Sequence, residues 1–206
     1  MKSNRSSQWI FGAVVALIAL TAMAALLPGS GEETYEFNGG TWDPPRQAPE
    51  LAMTDQHGND FLLEDHRGKV VVIFFGYTFC PDFCPSTMVE VVEVLNFLGD
   101  DADNVEVAFV SVDPARDTPE RLEEYMGFYS PTFFGLSASA EQTNDIKMAW
   151  GVRGDAQEPE EGKVYYLVDH TTTLFAVAPD GTLAVEWPYG TDAALIAEDI
   201  QHLLND

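Results

Sequence analysis

The sequence predicts an α/β fold, a central mixed sheet flanked by helices, preceded by an apolar N-terminal segment. Three observations carry that expectation. Val70 to Phe75 is an apolar run, too short to cross a membrane and rich in β-branched and aromatic residues, as in a buried strand. Strand-like and helix-like stretches alternate after it. Near the C-terminus Pro179-Asp180-Gly181 separates Leu174–Ala178 from Leu183–Trp187, the pattern of an antiparallel hairpin, which makes the sheet mixed.

At 206 residues the chain is long enough for one well-cored domain with appendages. It carries 10 Lys and Arg against 34 Asp and Glu, a formal net charge of -24. Lys2 and Arg5 are the only charged residues ahead of Glu32, so the remainder is more acidic still. Such a surface repels nucleic acid and anionic lipid, and both are set aside as partners. Two readings of the charge stay open: solubility, or adaptation to a high-salt medium whose ions screen self-repulsion, a halophile-like acidic surface.

After Lys2, Arg5 and Trp9 come 18 residues without a charge, Ile10 to Leu27. As a helix they span about 27 Å, enough for a hydrocarbon core. Cations before the span and none soon after it place the N-terminus in the cytoplasm and the rest on the outer face. Residues 1–27 therefore read as a retained single-pass anchor; the rival is a signal peptide cleaved after Ala22-Met23-Ala24. Residues 28–48, with Gly39-Gly40 and Pro44-Pro45, read as a flexible acidic tether, and 49–206 as the domain.

Within the domain, Leu51 to Leu63 reads as a hairpin around Asp55–Asp60. The central strand follows and ends at Gly76. Pro85 is suited to the first position of the next helix, in which Met88, Val91, Val92, Leu95 and Leu98 recur at helical spacing before Gly99 closes it. Asn104 to Val112 is the next strand. Thr118 and Pro119 read as an N-cap and first helical residue of a helix to about Tyr129. Phe133–Leu136 is a short strand, and Ser139 with Gln142 predicts a capping box on a helix ending near Trp150. Arg153 to Gly162 reads as a polar surface loop, Lys163 to Val168 as a strand leading to Asp169-His170, and Ala193 to Leu204 as the last amphipathic helix.

The only two cysteines, Cys80 and Cys84, fall where the central strand meets its helix. Unpaired N–H groups and the dipole at a helix N-terminus favour thiolate, which is both nucleophile and metal ligand. This order of elements, with a cysteine pair at that junction, is the thioredoxin arrangement. Phe74–Pro85 (FFGYTFCPDFCP), Asp113–Leu122 (DPARDTPERL) and Asp169-His170 ahead of the Pro-Asp-Gly turn resemble the Sco/SenC family of copper chaperones for cytochrome c oxidase, over roughly residues 49 to 205. The resemblance implies copper bound by Cys80, Cys84 and His170, and delivery to the dinuclear copper site of oxidase subunit II, with another copper-donor protein upstream. Two thiolates and one imidazole suit Cu(I), and with an added oxygen ligand Cu(II); a structural zinc site would want a fourth protein ligand.

The same residues allow other readings. Cys80 and Cys84 would also serve a thiol–disulfide oxidoreductase that keeps the target's cysteines reduced, and sequence does not separate this from copper delivery, so enzymatic activity stays open. A structural disulfide closing so short a loop would add little stability. A peroxidase of the peroxiredoxin type is disfavoured because Phe74, not proline, stands four before Thr78. His57, His66 and His202 read as surface histidines, and Asp82 and Asp113 as helix-capping, solvated or ligand-orienting carboxylates.

Overall fold

A computed structural model describes residues 35–156 and 166–205, apart from the side chain of His170. The expected membrane span and the start of the tether lie outside the described residues, among which no helix is long and apolar enough to cross a membrane. The elements run β1 Arg46–Gln47, β2 Ala52–Thr54, β3 Asp60–Leu62, β4 Val70–Gly76, α1 Phe83–Leu98, β5 Val105–Ser111, α2 Pro119–Gly127, β6 Phe134–Leu136, α3 Ala140–Trp150, β7 Gly154–Ala156, β8 Val168–His170, β9 Leu174–Val177, β10 Thr182–Trp187 and α4 Ala193–Asn205.

Six strands form one mixed sheet in the order β1-β10-β9-β4-β5-β6. β4 is buried along its whole length, as its unbroken apolar run requires of a central strand covered on both faces. It pairs parallel with β5, Phe74 opposite Phe109, and antiparallel with β9, Phe74 opposite Leu174. Alternation sends Phe74 to one face, where Phe109 and then Tyr125 of α2 pack, and Phe75 to the other, against Trp150 and Phe175. α1 packs on α4. Because β4 and β5 are parallel and β9 runs against them, the loops after β4 and β5 and the segment entering β9 emerge at one edge of the sheet. The functional loops of open α/β sheets gather at such an edge.

The local capping expectations hold. Thr118 Oγ1 accepts from Arg121 N with Pro119 at the first helical position, Ser139 and Gln142 form the reciprocal capping box, and Gly99 ends α1 at a positive φ of 58°. The hairpin over Leu51–Leu63 is β2 with β3, and that around Pro179-Asp180-Gly181 is β9 with β10.

Three expectations need correction. The tether does not extend to residue 48, because residues from 37 onward belong to the compact unit. Gly40 exchanges two backbone hydrogen bonds of 2.8 Å with Glu186, and β1 joins the sheet beside β10. Gly39 lies so close to β10 that a Cβ there would meet Glu186 O at 2.5 Å and Val185 Cγ2 at 2.5 Å. The glycine pair that suggests flexibility is instead used for close approach. The stretch from Arg153 is not all loop: Gly154–Ala156 is a strand paired antiparallel with β8, and residues 157–165 lie outside the described set. His66 is not a surface histidine. It is only 17% exposed, stacks on Phe61 with ring centroids 4.2 Å apart, and its Nδ1 meets Glu106.

Candidate functional site

The cysteine loop leaves β4 at Gly76, and its first turn is closed by Cys80 N donating to Tyr77 O at 3.1 Å. α1 begins at Phe83, two residues earlier than Pro85 suggests, so Cys80 sits in the loop and Cys84 in the first helical turn. Proline is tolerated there because the first N–H groups of a helix have no intrahelical acceptor. One of those orphan donors, Cys84 N, is taken by Cys80 Sγ at 3.4 Å. The two side chains lie close enough to hydrogen-bond each other, and no disulfide joins them. Gly76 makes the room: a Cβ at that position would stand 3.0 Å from Cys84 Sγ, 2.8 Å from Phe109 and 2.9 Å from Phe74.

The expected bias towards thiolate fails at Cys84. Its residue is 0% exposed, and burial pushes the thiol well above the ordinary cysteine range, with the hydrogen bond and charge of Cys80 adding to the effect. The helix terminus is outweighed because desolvation penalises the charged form most where no water reaches. Burial likewise raises the Tyr77 phenol, whose oxygen is in hydrogen-bonding reach of the Val168 backbone N–H and of Cys80.

Beneath the loop lies a carboxylate to which sequence reasoning assigned no role. Asp117, 1% exposed, accepts from Thr78 N at 3.2 Å, Thr78 Oγ1 at 2.7 Å and Ser111 Oγ at 2.6 Å. Burial raises its pKa, and the bonds from Ser111 and Thr78 only partly offset that. Arg121 adds a bond from Nε to Thr78 Oγ1 at 3.1 Å. Arg116 and Arg121 place their guanidinium carbons 5.0 and 5.1 Å from the Phe79 ring centroid. Arg116, Asp117 and Arg121 all fall within the Asp113–Leu122 segment, DPARDTPERL, and that motif was the available signal.

Of the three predicted site residues, the structure brings Cys80 and Cys84 together. The third, His170, ends β8 with its backbone opposite Gly154, four residues before Leu174 and thus at the same sheet edge; its side chain lies outside the described set. Among the described residues no three His, Cys, Asp or Glu side chains converge. Asp113 is buried and engaged by Arg116 and Tyr166, whereas Asp82 is exposed at the N-cap of α1 without a side-chain capping bond. His57 is exposed, and His202 makes an edge contact with Phe37.

A mixed sheet with a cysteine pair at the junction of its central strand and first helix defines a thioredoxin-like domain. The chain belongs to the SCO1/SenC family, whose model matches residues 41–205. It is similar to a SCO2-like protein of Rickettsia felis, 30% identical over 137 residues that span 64% of each chain. Among solved structures, ScoI of Bradyrhizobium japonicum with copper bound is 32% identical, with a TM-score of 0.69 over 77% of this chain and 99% of that one. Apo Sco1 of Thermus thermophilus is 33% identical, with a TM-score of 0.71 over 83% and 99%.

Proposed function

We propose that this protein is a copper-binding metallochaperone of cytochrome c oxidase assembly, with Cys80, Cys84 and His170 as its ligands. The observation that carries the proposal is the adjacency of the two thiols at a sheet edge to which β8 also leads. Paired soft sulfurs with an imidazole form a donor set suited to copper in either oxidation state. A bound cation also answers the difficulty that Cys84 poses alone, since coordination deprotonates a thiol that burial otherwise keeps neutral. Support by kinship comes from family membership and from the copper-bound Bradyrhizobium relative.

The finer reading is that copper passes to the dinuclear site of oxidase subunit II, from a protein tethered by residues 1–27 with its domain on the outer face of the membrane. Phe79 and Phe83, each about half exposed beside the cysteines, offer such a target an apolar contact. A second reading, reduction of the target's cysteines by the Cys80/Cys84 dithiol, is favoured by the same adjacent sulfurs. Metal analysis of the reduced, copper-loaded protein decides the first: about one equivalent retained through desalting supports it, and none overturns it. Reduction of an oxidised target peptide tests the second.

A further inference from the structure

The cysteine loop and the strand leading to His170 are distant in sequence, and besides the Tyr77 phenol, which reaches the Val168 N–H, the Arg116 side chain lies between them. Arg116 Nε donates to Asp113 Oδ2 at 2.5 Å, and its Nη1 donates to the backbone carbonyl of Tyr166 at 3.0 Å. Its guanidinium carbon lies 3.6 Å from the centroid of the Tyr166 ring, a stacking distance, and 5.0 and 5.6 Å from the rings of Phe79 and Tyr77. Asp113 Oδ1 meanwhile accepts from the Tyr166 hydroxyl at 2.8 Å. Tyr166 is therefore held by its carbonyl, its ring face and its hydroxyl, four residues before His170. On the other side, the same guanidinium rests against two aromatic rings of the loop that ends in Cys80.

We infer that Arg116 is a positioning residue that sets the spacing between the cysteine loop and the strand carrying His170, acting through Tyr166. The tie stands on geometry; its consequence for metal rests on the reading of Cys80, Cys84 and His170 as ligands. Arginine is required because the tie uses a planar fork to grip a carboxylate and a carbonyl while stacking on a ring. Lysine keeps the charge but has neither plane nor fork. Both sulfurs lie on one side of the tie, so loosening it leaves the thiol pair intact and affects what depends on a third ligand.

The test compares Arg116→Lys with wild type in the full chain. In metal-free protein, amide hydrogen exchange over residues 166–170 should speed up at least tenfold while α4 keeps its protection; unchanged exchange at 166–170 overturns the tie. On titration, Cu(II) affinity should fall at least tenfold and the sulfur-to-copper charge-transfer band should move towards that of His170→Ala, with Cu(I) affinity within about threefold of wild type. In the His170→Ala background, Arg116→Lys should have no further effect on Cu(II). An equal loss in both backgrounds would show a general structural role and overturn the inference. Tyr166→Leu, which removes the ring and leaves the arginine, should reproduce the same pattern if Arg116→Lys folds poorly, and wild-type behaviour there counts against the tie. Faster exchange in a protein whose wild type binds no copper would sustain the tie and overturn the metal reading instead.

Discussion

Asp117 holds Thr78, 39 positions away, by three hydrogen bonds: both carboxylate oxygens accept from Thr78 N at 3.2 Å and Oδ1 accepts from Thr78 Oγ1 at 2.7 Å. The strand-to-helix loop that carries Cys80 is thereby anchored to the loop after β5.

Removing that anchor leaves buried donors without an acceptor. Asp117→Ala strands Thr78 N–H and the Ser111 hydroxyl, a loss of roughly 2–4 kcal/mol by the usual cost of unsatisfied buried groups. Thermal unfolding should show a melting temperature lower by about 5–15 °C, given roughly 2–4 °C per kcal/mol at this size. A decrease of less than about 2 °C would count against the anchor.

Its titration gives a pH test. Burial raises the folded pKa of Asp117 above the unfolded value near 3.9. The folded state therefore holds this proton more tightly, and the associated stability is fully present below the unfolded value and lost as pH rises through the raised folded one. Urea midpoints should show the advantage of wild type over Asp117→Asn shrinking as pH rises from about 3 towards neutrality. A gap that widens over that range contradicts the shift.

Gly76→Ala probes the room made for sulfur. The added methyl meets Phe109, Phe74 and Cys84 Sγ at 2.8 to 3.0 Å, all inside the core. Overpacking of this kind costs about 1–3 kcal/mol. The variant should melt lower and form the Cys80–Cys84 disulfide at a rate different from wild type, measured by loss of free thiol under mild oxidant. Unchanged values for both would mean that the neighbours yield freely.

Truncation tests where the domain begins. Asp199 is 0% exposed and accepts from Trp187 Nε1 at 2.7 Å, Asn38 N at 3.0 Å and Asn38 Nδ2 at 2.9 Å. A chain starting at residue 49 loses the Asn38 donors, the Gly40–Glu186 pair and β1. It should melt several degrees below a chain starting at residue 37, and equal melting would restore the longer tether.

Salt should stabilise the protein. A net charge of -24 repels itself in the compact state, and the screening length falls from about 10 Å at 0.1 M to about 3 Å at 1 M. The melting temperature should rise from low to molar sodium chloride; a flat response would remove high-salt adaptation and leave the copper proposal untouched.

What the sequence by itself determined is local. The run Val70–Phe75, the Thr118-Pro119 start, the Ser139/Gln142 box and the Pro179-Asp180-Gly181 turn each encode their own conformation within a few residues, and the elements formed where those patterns stand. The cysteine pair was legible too, because Cys80 and Cys84 are only four apart. The tertiary structure decided what depends on burial and on partners distant along the chain. A helix N-terminus predicts thiolate, but only packing against Gly76 and the core shows Cys84 to be dry, and desolvation then outweighs the dipole. Gly39-Gly40 looks like a hinge until β10 lies against it. Arg116, Asp117 and Tyr166 have no periodicity to reveal them: their roles come from charged and aromatic groups meeting across 39 to 50 residues, where chain folding alone sets the distance.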